Sequence, residues 1–168
     1  MKKVSMIIPC YNEENNVELF YKEAVKTYKE QNYKLELVFI DDGSKDNTLK
    51  NLKELTKEQD CEIKVLSFSR NFGKESAIYA GLKNTTGDYT VIIDADLQQP
   101  PELTIKMANI LDENKYDCVC YYQEERIENK LLSKIKNTFY KTMNKMSEVE
   151  LKQGASDFRM FNNKVKNS

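Results

Sequence analysis

Tyr89-Thr-Val-Ile-Ile-Asp94-Ala-Asp96-Leu-Gln98-Gln-Pro-Pro-Glu102 is a short apolar, β-branched run that stops at two acids spaced i, i+2. It predicts a buried strand ending in a carboxylate pair. In an extended backbone alternate side chains share a face, so Asp94 and Asp96 are expected to point the same way, with Gln98 continuing the row as a neutral oxygen. Two carboxylates and an amide oxygen aimed at one point suit a hard divalent cation, Mg2+ or Mn2+, that keeps waters and takes further ligands from a substrate phosphate. Pro100 and Pro101 stiffen the exit, and Pro101-Glu102 opens a helix with its acid at the favourable end of the dipole. A bare D-x-D is equally compatible with a solvated acidic turn, so the surrounding chain has to decide.

Working outward, residues 4–8 (VSMII), 35–40 (LELVFI), 63–68 (IKVLSF) and 117–122 (DCVCYY) read as four further strands. Between them, apolar residues recur at helical spacing: Val17, Leu19, Phe20, Ala24, Val25 and Tyr28, then Leu49, Leu52 and Leu55, then Ile78, Ala80 and Leu82, then residues 103–111. Asn12 is expected to cap the first helix, and Ser44 or Asp46 the second. Strands alternating with helices in this way predict an α/β fold, a mainly parallel sheet with helices on both faces, in a single domain covering residues 1–168. Such sheets bind ligands beyond the carboxyl ends of their strands, where Tyr11, Asp41, Asp42, Arg70, Asp94 and Asp96 all fall. Residues 130–146 carry one apolar stripe flanked by Lys130, Lys134, Lys141 and Lys145, which fits either a helix packed on the core or a basic helix at an anionic membrane surface. Residues 154–161 read as a loop entering a strand.

Composition excludes several classes. The chain holds 168 residues with 40% hydrophobic and 32% charged content, enough for one domain, and no apolar run approaches the roughly 20 residues of a membrane span. No secretory signal is expected from Met1-Lys-Lys and the five-residue run after it. A net charge of −1 argues against bulk nucleic-acid binding. The charge is uneven: residues 121–168 hold ten Lys/Arg against six Asp/Glu, a net +4, and the residues before them hold a net −5. The absence of histidine removes Ser-His-Asp and Cys-His catalysis and leaves carboxylates as general bases. Cys10, Cys61, Cys118 and Cys120 lack C-x-x-C pairing and read as small buried hydrophobes of a reduced compartment. The five glycines form no G-x-G-x-x-G, and Gly73-Lys74 lacks the rest of a P-loop. What remains is an acidic strand-end cluster with no glycine-rich phosphate cradle, a site that needs a metal to accept phosphates.

Ile8-Pro9-Cys-Tyr11-Asn12-Glu13, Asp41-Asp42-Gly43-Ser44 with Asp46 and Thr48, Ser69-Arg70-Asn71-Phe72-Gly73-Lys74, and Asp94-Ala95-Asp96-Leu97-Gln98 together resemble the family 2 glycosyltransferases of the GT-A fold. Pro100-Pro101 and Asp157-Phe158-Arg159 most resemble the branch that loads sugars onto polyprenyl phosphates. The resemblance runs from Val4 to about Phe161. It implies that Pro9, Tyr11 and Glu13 frame the nucleotide of a UDP- or GDP-linked sugar, with Asp41 and Asp42 at the base and Asp94 and Ala95 at the ribose and phosphates. It further implies that Asp96, with Gln98 and Asp94, holds the metal, that Arg126 and Arg159 bind acceptor phosphate, and that Asp157 is a catalytic or acceptor-orienting acid. Gln99 stands where an acid or histidine is frequent, and residues 121–129 are more acidic than the arginine-rich stretch expected there. Family members continue well beyond this end, so the chain is expected to be a catalytic domain truncated at its C-terminus.

The expected reaction is an inverting displacement in which a polyprenyl phosphate, already anionic, attacks the sugar at the cytoplasmic face of the cell membrane; a hydroxyl acceptor would instead need Asp157 as base. A non-catalytic nucleotide-sugar-binding module and a metal-dependent nucleotidyltransferase are the rival readings. The sequence specifies no oligomeric state.

Overall fold

The computed structural model describes residues 1–122 and 155–167, and of residues 122 and 155–157 the backbone alone. In chain order the elements are β1 (Lys2–Cys10), α1 (Val17–Tyr28), β2 (Tyr33–Asp41), α2 (Thr48–Leu55), β3 (Glu62–Ser67), α3 (Lys74–Asn84), β4 (Tyr89–Ile92), α4 (Glu102–Asp112), β5 (Cys118–Tyr122), β6 (Ala155–Asn162) and a terminal turn of helix, α5 (Asn163–Lys166). Met1–Val119 with Asp157–Ser168 forms one compact unit, and Cys120–Ser156 a second that lies almost wholly outside the described residues. The helix expected over residues 130–146 and the candidate Arg126 fall there.

The sheet runs β3-β2-β1-β4-β6-β5. β1 is parallel to β2 and to β4, and β2 to β3, so these four strands present their carboxyl ends along one edge. β6 enters beside β4 in the opposite sense, with Ile92 opposite Arg159. The expected α/β architecture, a mainly parallel sheet between helices, is thus the one observed.

Parallel strands covered on both faces read as continuous apolar runs rather than alternations. Residues 4–8 are all buried, and so are residues 37–40. On one face Ile7, Val38, Ile40, Ala77, Ile92 and Phe161 form a cluster beneath α3. Gly81 lets that helix come close, since a Cβ there would lie 2.5 Å from Ile7 Cγ2 and 3.0 Å from Ile40 Cδ1. The neighbouring residue in β2, Phe39, points to the other face and meets Phe20 of α1 edge-on at 6.2 Å. A buried hydroxyl pair, Tyr28 with Thr104 at 2.7 Å, ties α1 to α4.

Three local expectations are corrected. α1 begins at Val17 rather than after Asn12. Asn12 adopts φ 57° and its side-chain oxygen accepts the Lys45 N–H at 2.9 Å, so the residue turns the chain towards the β2 loop instead of capping a helix. Of the four cysteines only Cys10 is buried; Cys61 is half-buried, and Cys118 and Cys120 are exposed. At α2 the N-cap position falls to Asn47, which makes no side-chain cap bond, and Asp46 just ahead of it accepts the Thr48 N–H at 3.0 Å.

The amino ends of the strands are closed by a buried carboxylate. Glu36 on β2 is fully inaccessible and accepts from Lys64 Nζ at 2.7 Å, from Thr86 N at 2.8 Å and Thr86 Oγ1 at 2.7 Å, and from Ser5 Oγ on its register partner in β1. Burial opposes its charge, but the donors from Lys64, Ser5 and Thr86 outweigh it and pull the carboxyl from an ordinary 4.5 to about 2. A depressed carboxylate stabilises the fold fully above its unfolded value, and that stabilisation drains away as pH falls from about 4.5 towards 2. Glu36→Gln is therefore expected to cost about 3 kcal/mol near neutral pH. In urea unfolding at a series of pH values, the gap from wild type should narrow across that window; a gap independent of pH would contradict the assignment.

Candidate active site

At the carboxyl edge of the parallel strands, the loops are fastened to one another in sequence. The loop after β1 is laced to the loop after β2. Asn12 N donates to Ser44 Oγ at 3.0 Å, Glu13 N to Thr48 Oγ1 at 2.7 Å and Glu14 N to Asp46 Oδ2 at 3.2 Å, while Glu14 Oε2 accepts the Asn47 N–H at 2.9 Å. Burial works against the charge of Asp46, yet the hydrogen bonds from Thr48 and Glu14 prevail and hold its carboxyl below the usual range. This lacing sets Tyr11 on the rim, 42% exposed, with Pro9 and Glu13 on either side of it.

The loop after β2 is clasped in turn to the loop after β3. Asp41 and Asp42 are both buried. Asp41 accepts Ser44 N at 3.1 Å and Ser67 Oγ at 2.9 Å, which couples the ends of β2 and β3. Asp42 accepts Phe72 N at 2.7 Å and Gly73 N at 2.9 Å. Gly43, at φ 69°, lies flat against the backbone of that second loop: a Cβ would sit 2.4 Å from Arg70 C and 2.7 Å from Asn71 N. On the outer side Arg70 stacks over Phe72 at 4.9 Å, and Phe72 meets Phe68 edge-on at 5.6 Å.

The clasp delivers Lys74, the first residue of α3, to the carboxylate pair. Lys74 Nζ lies 2.8 Å from Asp94 Oδ1 and 3.1 Å from Asp94 Oδ2, with both side chains a little over one-third exposed. The strand itself ends at Ile92, although Ile93 still donates to Ile7 O at 3.1 Å. The chain then turns through Ala95 and Asp96, and Leu97 takes φ 59°. The expected extended row is therefore corrected. Asp94 is half-buried and paired with Lys74, Ala95 is buried, and Asp96 and Gln98 are exposed in a turn where Asp96 Oδ1 accepts the Gln98 N–H at 3.0 Å. A left-handed non-glycine residue between two candidate ligands is a strained backbone of the kind that persists at functional sites.

Asp157 lies in β6, two residues before Arg159. Arg159, exposed, sits opposite Ile92. Arg126 is outside the described residues. Sequence reasoning gave Lys74 no role: it closes the Ser69–Lys74 motif of the resemblance, and Gly73-Lys74 fails as a P-loop. The residue that Lys74 meets lies twenty positions on and one crossover away, a contact no spacing rule signals.

Among the described residues, no three or more His, Cys, Asp or Glu side chains gather into a cage that could hold a metal. The donor set instead fits an ion that takes few protein ligands. The exposed carboxylate of Asp96, the amide of Gln98 and the half-buried carboxylate of Asp94 are hard oxygens on an open rim, the pattern for a cation completed by waters and substrate phosphates.

The mainly parallel sheet with acid-bearing loops along its carboxyl edge has the GT-A glycosyltransferase fold, as its match to solved structures shows. The chain belongs to glycosyl transferase family 2, whose model matches residues 5–165. CsbB of Bacillus subtilis (strain 168) is 39% identical over 98% of the chain and 50% of that protein. The bactoprenol glucosyl transferase of Shigella phage SfX is 36% identical over 97% of the chain and 53% of that protein. The chain thus spans about half the length of these relatives. Among solved structures, the mannosyltransferase PcManGT from Pyrobaculum calidifontis, in complex with GDP-Man and Mn2+, shares the fold at a TM-score of 0.67 and 21% identity, covering 99% of the chain and 46% of its own.

The clasp makes a direct prediction. Gly43→Ala forces a side chain into the left-handed region and against the Arg70 and Asn71 backbone, and is expected to cost about 2–4 kcal/mol. Thermal unfolding should show it as a clear loss of Tm. An unchanged Tm would mean that the two loops are not held together as described.

Proposed function

We propose that this domain transfers a sugar from a UDP- or GDP-linked donor to a polyprenyl phosphate, with inversion at the anomeric carbon. The observation that carries the reading is the Asp94–Asp96 turn at the sheet's carboxyl edge, with Lys74 paired to Asp94 and the strand that carries Asp157 running beside β4. The bactoprenol relative, similar across nearly the whole of this chain, supports the acceptor class.

In this reading Tyr11, framed by Pro9 and Glu13, stacks on the nucleobase from the rim. Asp41 and Asp42 form the floor beneath it; their oxygens are engaged by Ser44, Ser67, Phe72 and Gly73, so they shape the base pocket and offer it only their remaining lone pairs. Asp94 and Ala95 face ribose and phosphates. Asp96, with Gln98 and Asp94, would hold Mg2+ or Mn2+, which supplies charge neutralisation for the leaving nucleoside diphosphate. A lipid phosphate is anionic near neutral pH, so attack needs no strong base. Arg159, with Arg126, would hold that phosphate as a charge-assisted partner, and Asp157 would orient it. The arrangement requires an acceptor headgroup within reach of the edge, which puts the domain at the cytoplasmic face of the membrane. No helix among the described residues is long and apolar enough to cross one.

A thermal-shift screen of UDP- and GDP-sugars with and without Mn2+ tests the donor class, followed by assay of sugar transfer to undecaprenyl phosphate. Release of pyrophosphate instead of nucleoside diphosphate would identify a nucleotidyltransferase, and donor binding without turnover on any acceptor would identify a binding module. Asp96→Asn is expected to weaken nucleotide binding in the presence of Mn2+ by roughly tenfold or more while leaving the Tm unchanged. Calorimetry showing equal affinity for mutant and wild type would refute the role given to Asp96.

A further inference from the structure

Asp94 is the one candidate metal ligand whose carboxylate is already engaged by a cation in the described structure. Both its oxygens lie within hydrogen-bond reach of Lys74 Nζ, at 2.8 and 3.1 Å. A divalent ion that takes Asp94 must therefore displace an ammonium group or share the carboxylate with it, and sharing places like charges within a few ångströms. The base of the lysine is fixed. Gly73, the residue before it, has its N–H held by buried Asp42, as does Phe72, so the backbone at the start of α3 cannot follow the ammonium. The side chain can. Its four-carbon stem carries a head that is partly solvated, and a diphosphate arriving at the same edge offers it anionic oxygens in place of Asp94.

We infer that Lys74 makes metal and nucleotide binding conditional on one another: it occupies Asp94 until a diphosphate draws its ammonium away, which frees the carboxylate for the divalent cation. The inference rests on the nucleotide-diphosphate reading of the site and adds to it a positioning residue that acts through Asp94. Two consequences have opposite signs, which separates this role from a structural one. Removing Lys74 strengthens the binding of the metal alone, because a competitor is gone. The same removal weakens the binding of nucleoside diphosphate alone, because a partner is gone. Linkage requires the factor by which each ligand promotes the other to fall in both directions equally.

The test titrates Mn2+ into wild type, Lys74→Met, Lys74→Arg and Asp94→Asn, with and without UDP or GDP, following free Mn2+ by its paramagnetic resonance signal. Lys74→Met is expected to bind Mn2+ alone roughly three- to tenfold more tightly than wild type, the range expected when a partly exposed ion pair and its like-charge repulsion are removed. The promotion of Mn2+ binding by nucleotide should shrink by a similar factor. Lys74→Arg, which keeps a cation on Asp94, should retain that promotion, and adding Asp94→Asn to Lys74→Met should erase the gain in Mn2+ affinity. A Lys74→Met protein with wild-type Tm whose affinity for Mn2+ alone is unchanged or weaker overturns the inference. Should that variant fail to fold, Asp94→Asn decides instead: undiminished promotion of Mn2+ by nucleotide would overturn it equally. Failure of wild type to bind UDP or GDP would count against the functional reading, whereas the comparison in Mn2+ alone still decides whether Lys74 and the cation compete.

Discussion

The Asp42 carboxylate, buried and holding the backbone N–H groups of Phe72 and Gly73, is the fastening on which the carboxyl edge depends. A buried carboxylate is costly unless its oxygens are satisfied, and backbone donors satisfy it without any flexible partner. The bond therefore fixes a loop by its main chain. From there the consequences run outward. The fixed loop starts α3 at Lys74, and Lys74 reaches Asp94, which gives that carboxylate a cationic partner. Gly43 completes the contact because no larger residue fits between the two backbones.

The two ends of the sheet use the same chemistry for different purposes. At the amino end Glu36 is wholly buried and saturated with donors, an arrangement that contributes stability and leaves nothing to offer a ligand. At the carboxyl edge Asp41 and Asp42 repeat that pattern, while Asp94, half-buried, is paired with Lys74 and Asp96 is exposed to solvent. The carboxylates thus pass from buried and saturated, at Asp41 and Asp42, to solvent-exposed, at Asp96.

The fold was legible because short apolar runs such as residues 6–8 and 37–40, alternating with helical periodicity, admit few arrangements other than a covered parallel sheet. The position of the candidate site was legible for the same reason, since strand ends are marked by where those runs stop. What escaped was geometry set by tertiary contact. Asp94 and Asp96 were expected in an extended row, but the turn at Leu97 and the hydrogen bond from Gln98 N to Asp96 bend the chain. Asn12 looked like a helix cap because its residue type suits one, yet Lys45 takes its side chain. The reversed direction of β6 and the Lys74–Asp94 pair depend on which strands become neighbours, and a linear pattern carries no such information.

The functional account turns on the acidic rim accepting a nucleoside diphosphate through a cation. A crystal structure of the domain with UDP or GDP and Mn2+ tests that most directly, since manganese is located by its anomalous signal. The account predicts one ion bridging the diphosphate to Asp96, with the base against Tyr11. Nucleotide density elsewhere, or an ion with no contact to Asp96 or Asp94, would contradict it.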